Sequence, residues 1–167
     1  MKEYININEM QSVLYSLLKD AIKNFGNNDA EIEYLNEILD DEELKEIAQE
    51  DAKKINSDMC EYLHKRCTHI DGYFADIKYD YGRFDRIYYD NGEYSFGRCY
   101  DEPVRNFDEM VKRLDEGKQS KEAEFDRNFL TDWFFYCFGT LAYQYKFQEF
   151  ASEILCDYEE ENAVNFC

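Results

Sequence analysis

Two cysteines and two histidines lie within ten residues of the sequence CEYLHKRCTH, at positions 60–69. Cys60, His64 and Cys67 stand at i, i+4 and i+7, so a helix would place all three on one face, where a metal site could form. Seven residues of helix rise about 10.5 Å, however, and a thiolate binds zinc at about 2.3 Å, so one ion cannot hold both cysteines. His69 does not complete a zinc site either, because the spacing of these four residues does not match a pattern of the C-x₂₋₄-C type. We therefore predict no metal here, with thiols in the core and histidines at its rim.

Other chemistry has little support in the sequence. Cys67 beside two histidines could be an activated thiol, but a cysteine–histidine pair without a third, orienting group is a weak signal. Acidic residues in the next segment could hold Mg²⁺ through oxygen ligands; they are Asp76, Asp80, Asp85, Asp90 and Glu93. With 38 acidic residues in the chain such clusters arise by chance, and a net charge of −19 repels nucleic acid. We expect a protein that is not an enzyme and that has no cofactor.

The first 65 residues have the apolar spacing of helices. The segment ININEMQSVLYSLLKDAIKNFG predicts a first helix capped by Asn6 or Asn8. A short helix is expected from Asp29, and then a long one that Asp40 or Asp41 caps.

Two further helical stretches follow Pro103, the only proline. The pattern predicts a short helix that closes near Gly117, and then a long helix, or a pair of helices broken near Gly139. Apolar residues lie on more than one side of this last stretch, which predicts a central core element; they include Phe125, Phe129, Trp133, Phe134, Phe138, Leu141, Tyr145, Phe150 and Ile154.

Between the two helical regions the pattern alternates and is rich in tyrosine. Asn91-Gly92 predicts a hairpin in which Tyr89 faces Tyr94 and Ile87 faces Phe96. The fold class predicted from these elements is α+β, with a helical body packed on a two- or three-stranded antiparallel sheet. At 167 residues, without repeats or a linker, the chain is expected to form a single domain, 1–167.

The start of the chain resembles no export signal, and no stretch of the sequence is apolar enough to span a membrane. These features predict a soluble, cytoplasmic protein whose six cysteines are reduced thiols.

The negative charge is concentrated in two segments. Residues 29–51 hold eleven acidic residues against one base, and residues 149–161 hold six acidic residues and no base, whereas residues 65–127 are nearly balanced. On a helix, carboxylates three or four positions apart have Cβ atoms about 5–6 Å from each other, a spacing of the same order as successive phosphates on a nucleic-acid strand. A rigid acidic helix could therefore occupy a basic groove that normally binds nucleic acid.

The predicted partner-binding residues belong to those two segments and to the tyrosine-rich stretch, since tyrosine is enriched at binding hot spots. They are Glu31, Glu33, Glu37, Asp40, Asp41, Glu42, Glu43, Glu46, Glu50, Asp51, Tyr88, Tyr94, Tyr100, Asp157, Glu159, Glu160 and Glu161.

In size and character, with the acidic blocks DDEELKEIAQED and DYEEEN and the tyrosines of YYDNGEYSF, the chain resembles the small acidic counter-defence proteins of phages and plasmids. These are the anti-CRISPR and anti-restriction inhibitors. The resemblance implies a host-cell partner that binds nucleic acid, such as a Cas nuclease or a restriction enzyme, and an inhibitor that does not itself bind nucleic acid.

Two alternatives remain open. The chain could be an acidic protein-interaction module unrelated to nucleic acid, with its carboxylates serving solubility and its aromatic residues serving a binding patch or a homodimer. A metal-dependent enzyme is the third hypothesis.

Overall fold

The computed structural model describes residues 2–25, 28–65, 87–90, 93–96, 104–105 and 107–165. In this part of the chain lie six helices: α1 (Ile7–Phe25), α2 (Asp29–Ile38), α3 (Asp41–Lys65), α4 (Phe107–Asp115), α5 (Lys121–Phe138) and α6 (Thr140–Asn165). None of them is both long enough and apolar enough to cross a membrane.

The predicted α+β class is wrong, because the body that the structure describes is all-helical. Every buried apolar side chain among the described residues lies on a helix or in a short segment next to one. Three short strands are traced by their backbone alone: β1 (Ile87–Asp90), β2 (Glu93–Phe96) and β3 (Val104–Arg105). In the described part of the chain these strands comprise ten residues, and the core there is filled by helices.

The pairing of β1 with β2 has the predicted register. The strands are antiparallel, with Ile87 opposite Phe96 and Tyr89 opposite Tyr94, and β3 adds to the other edge of β2. The turn at residues 91–92 and the sheet face predicted to meet the helices lie outside the described residues.

The helix boundaries follow local capping chemistry, as the sequence predicts. The Asn6 side chain accepts a hydrogen bond from the Glu9 amide (3.1 Å), and the Asp40 carboxylate accepts one from the Glu43 amide (2.9 Å). These acceptors satisfy amides that have no partner within the helix.

Two glycines end helices with a positive φ. Gly117, at φ +69°, closes α4 in a Schellman motif, in which its amide donates to the Leu114 carbonyl and the Lys118 amide to the Arg113 carbonyl. Gly139, at φ +88°, separates α5 from α6, so the last stretch is a pair of helices.

The chain divides into two compact units, and the boundary between them falls within α1 and α3. Unit one comprises residues 1–10 and 52–139, and unit two comprises residues 11–51 and 140–167. The single-domain expectation stays a prediction.

Unit one has an aromatic core that encloses the N-terminal segment. The rings of Tyr62 and Trp133 lie 5.0 Å apart, and both are fully buried. The Asn56 side chain accepts hydrogen bonds from the Tyr4 and Ile5 amides and donates one to the Lys2 carbonyl. Residues 2–6 are therefore fixed by side chains of the unit.

Unit two has a smaller, mainly aliphatic core. Its buried residues include Leu14, Leu18, Ile22, Leu35, Leu39, Leu44, Ala48, Tyr143, Phe147 and Ala151. The Gln144 side chain ties α6 to α1 by donating to the Leu17 carbonyl (3.1 Å).

The prediction that the last stretch forms a central core element is only partly right. Trp133 and Phe134 are fully buried, but Phe125 is 69% exposed. Leu141, Tyr145 and Phe150 are also exposed. Because the break at Gly139 leaves two separate helices, each has its own outward side, and aromatic residues occupy part of it.

Candidate docking surface

The cysteine–histidine string does not assemble a metal site in the part of the chain that the structure describes, where no three His, Cys, Asp or Glu side chains are arranged to hold a metal ion. Cys67 and His69 lie outside the described residues. The Cys60 sulfur is 3.7 Å from His64 Nδ1, and His64 Nε2 is 3.0 Å from Asp115 Oδ2. The sequence did not indicate Asp115, because it lies 51 residues beyond His64.

Tyr4 completes this cluster from the N-terminal segment. Its hydroxyl donates to Asp115 Oδ1 (2.6 Å), and its ring meets the His64 ring edge-on at 6.1 Å. Burial raises the pKa of Tyr4 above its usual range, and the hydrogen bond to Asp115 adds to this. Burial would raise the pKa of Asp115 as well, but hydrogen bonds from Tyr4 and His64 bring it below its usual value.

The raised pKa of Tyr4 predicts a loss of stability at alkaline pH. Below pH 10.0, the value at which tyrosine ionises in the unfolded chain, the protonated hydroxyl makes its full contribution to the stability of the folded state. This contribution falls as the pH rises above that value. We expect Tyr4→Phe to lose about 1–2 kcal/mol at neutral pH. The difference in the free energy of unfolding between wild type and Tyr4→Phe should then shrink by up to about 1.4 kcal/mol per pH unit above about pH 10.

Urea unfolding from pH 7 to pH 11 tests this, followed by the fluorescence of Trp133, the only tryptophan. Trp133 lies in unit one with Tyr4, so its signal reports the relevant unit. Because wild type and Tyr4→Phe share all the other tyrosines, the difference between their free energies of unfolding reports Tyr4 alone. A difference that stays constant across this pH range contradicts the prediction.

Most of the charge of the chain belongs to unit two. Residues 11–51 and 140–167 contain eighteen acidic and four basic residues, a net charge of −14 out of −19. The two acidic segments identified in the sequence are therefore parts of one compact unit.

Most of the predicted carboxylates are exposed. The exposed ones are Glu33, Glu37, Asp40, Asp41, Glu42, Glu43, Glu46, Glu50, Asp157 and Glu159. Glu31 is an exception at 7% exposure, because it lies on the same side of α2 as the buried Leu35. Asp51 is half-buried and accepts a hydrogen bond from the Tyr143 hydroxyl.

The remaining predicted residues cannot be placed on this surface. Tyr88 and Tyr94 belong to β1 and β2, whose side chains lie outside the described part, as do Tyr100 and the side chains of Glu160 and Glu161.

Two lysines of unit two lie over the ring of one tyrosine, Tyr15. The Nζ atoms of Lys19 and Lys45 lie 5.3 and 5.8 Å from the centre of the Tyr15 ring. The Tyr15 hydroxyl donates to Asp41 (2.7 Å), and Lys19 Nζ is 3.8 Å from the same carboxylate. The Tyr15 hydrogen bond, and next the Lys19 charge, lower the pKa of Asp41. Asp40 and Asp41 therefore have local roles in capping and pairing.

Six exposed glutamates of α2 and α3 have no such partner in the described part of the chain. Glu42, Glu46 and Glu50 follow each other at intervals of four along α3, with Glu43 beside them, and Glu33 and Glu37 have the same spacing on α2. Across the described part of the chain, none of these six carboxylates makes an ion pair or a side-chain hydrogen bond with another residue. We call this set, Glu33, Glu37, Glu42, Glu43, Glu46 and Glu50, the acidic face.

The second acidic segment lies on a helix that packs on α2. The Tyr34 ring of α2 and the Tyr158 ring of α6 have centroids 4.5 Å apart. Asp157 and Glu159, exposed on either side of Tyr158, are thereby held near the helix that carries Glu33 and Glu37. The sequence contained no local signal for this contact, because 124 positions separate the two tyrosines.

Comparisons with protein-family models, with curated proteins and with solved structures found no match to this chain. Its function therefore has to be inferred from its own residues.

Proposed function

We propose that this chain is a non-enzymatic inhibitor that binds a basic nucleic-acid-binding groove of a defence nuclease, a Cas effector or a restriction enzyme, in the cytoplasm of the host cell. The observation that carries the proposal is the acidic face, six exposed glutamates that have no ion-pair or side-chain hydrogen-bond partner among the described residues, in a unit of net charge −14. An exposed carboxylate that stabilises its own fold is usually paired or caps a helix, as Asp40 and Asp41 do here.

The arrangement of the acidic face suits a groove that follows a phosphate chain. Glutamates four residues apart on one helix have Cβ atoms about 5–6 Å apart, and α3 holds Glu42, Glu46 and Glu50 in a row with this spacing. Each exposed charge pair contributes little to affinity, about 0.2–1 kcal/mol. A row of them accelerates association and selects a surface of opposite charge. The inhibitor would thus exclude nucleic acid by occupying its site.

A second candidate function, an interaction module unrelated to nucleic acid, is favoured by one observation. Unit two also exposes the apolar side chains of Leu141 and Tyr145, one helical turn apart on α6, together with Ile38 and Phe150. Such residues are typical of a protein-binding patch. In this interpretation the apolar side chains provide the affinity, and the carboxylates serve solubility.

A capture experiment separates the two functions. Tagged protein is mixed with bacterial lysate at low and at moderate salt, with and without excess DNA or structured RNA, and the retained proteins are identified by mass spectrometry. The inhibitor hypothesis predicts a retained nucleic-acid enzyme that the polyanion displaces and that higher salt weakens. A retained protein whose binding changes neither with added polyanion nor with salt would exclude mimicry and support the interaction module.

A further inference from the structure

The cluster around Cys60 has no part in the proposed function, because it lies in unit one while the acidic face lies in unit two. Cys60 is a half-buried free thiol on α3, and His64 is exposed one turn later on the same helix. The Cys60 sulfur lies 3.7 Å from His64 Nδ1, so the sulfur and the ring are in direct contact. Asp115 supplies the third, orienting group that the sequence alone lacked.

Both ring nitrogens of His64 face acceptors. Nε2 is 3.0 Å from the Asp115 carboxylate, and Nδ1 is 2.7 Å from the backbone carbonyl oxygen of Cys60. A neutral imidazole has one N–H, so it would leave a nitrogen lone pair directed at an oxygen lone pair. A doubly protonated ring would donate to both oxygens, so this pair of acceptors favours the imidazolium form of His64. Asp115 is itself held in place by the Tyr4 hydroxyl.

We propose that Cys60 is a reactive thiol that exchanges with low-molecular-weight disulfides, with His64 as its cationic neighbour and Asp115 as a positioning residue. In the exchange, the Cys60 sulfur attacks one sulfur of the reagent. The new S–S bond forms as the old one breaks, the electron pair leaves on the second sulfur, and the Cys60 thiol proton goes to solvent. Cys60 is oxidised to a mixed disulfide, and half of the reagent is reduced to a thiol.

The imidazolium is placed to assist this step. Negative charge is spread over three sulfur atoms in the transition state of thiol–disulfide exchange. A fixed positive ring 3.7 Å from the attacking sulfur stabilises that charge more than solvent does at an ordinary exposed cysteine.

The test uses the full-length protein and 2,2′-dithiodipyridine, a neutral disulfide that the net negative charge does not repel. The reaction is stopped at intervals, and modification of each cysteine is measured by peptide mass spectrometry. Cys156, which is exposed and lies in the other unit, is the internal reference. We expect Cys60 to react roughly tenfold faster than Cys156 despite its lower exposure.

The variants His64→Gln and Asp115→Asn separate this effect from structure. Loosening of unit one would expose Cys60 and raise its rate, so a fall in rate cannot come from partial unfolding. We expect His64→Gln to lower the Cys60 rate to that of Cys156 or below, with a smaller fall for Asp115→Asn and no change at Cys156 in either variant. The proposal is overturned if Cys60 reacts no faster than Cys156, or if its rate is unchanged or higher in His64→Gln.

Discussion

Replacing Glu42, Glu43, Glu46 and Glu50 by glutamine is expected to abolish capture of the basic partner at moderate salt. Glutamine keeps the length and helix propensity of glutamate and removes only the charge. Four exposed charge pairs contribute on the order of 1–4 kcal/mol together, so the dissociation constant should rise about 5- to 1000-fold. The salt dependence of whatever binding remains should weaken as well, because fewer charges are neutralised in the complex.

A matched variant controls for net charge. Glu9, Glu109, Glu124 and Asp132 are exposed carboxylates of unit one, and converting them to amides removes the same four charges. The inhibitor hypothesis predicts that this variant binds nearly as well as wild type. Equal losses of affinity in this control and in the variant with the four glutamine replacements on α3 would mean that only total charge matters. Full binding by the α3 variant would refute mimicry. Glu42 and Glu43 also favour the start of α3, by a few tenths of a kcal/mol each, so melting curves of both variants are needed.

A variant without a charge change tests the arrangement of the surface. Tyr158→Ala removes the ring contact that holds α6 on α2 while leaving every carboxylate in place. If Asp157 and Glu159 act together with the acidic face, affinity should fall although net charge is constant. Unchanged affinity would confine the docking surface to α2 and α3.

The features that the sequence predicted correctly depend on neighbouring residues. The cap at Asn6 or Asp40 and the stops at Gly117 and Gly139 involve contacts within about one helical turn, which a linear pattern contains. The burial of Glu31 could have been predicted on the same basis. Glu31 lies four positions before Leu35 and eight before Leu39, on the apolar side of α2.

What the sequence could not predict depends on contacts between distant positions. The α+β class was wrong because an alternating, tyrosine-rich pattern reports local strand preference and not how many residues a sheet contributes to the core. The cluster of Tyr4, His64 and Asp115 joins three elements, so the pairing of Cys60 with an oriented histidine emerged only in the folded chain.

The largest loss of stability is expected from Asn56→Leu in unit one. Asn56 is 2% exposed, and its side chain accepts from the Tyr4 amide (2.7 Å) and the Ile5 amide (3.3 Å) and donates to the Lys2 carbonyl (2.8 Å). Leucine has a similar volume and no polar atom, so two amides and one carbonyl of the N-terminal segment would lose their partner. Leaving several buried polar groups unsatisfied costs about 3–5 kcal/mol.

Asn36→Leu is the matched control, since Asn36 is an exposed helical residue of unit two and the same substitution there should cost less than about 0.5 kcal/mol. Urea unfolding of both variants is followed by Trp133 fluorescence, which reports unit one, and by circular dichroism, which reports all helices. Because residues 2–6 are fixed mainly by side chains, their release should shift the fluorescence transition of Asn56→Leu to clearly lower urea. A fluorescence midpoint equal to that of Asn36→Leu would show that the N-terminal segment contributes little to the stability of unit one.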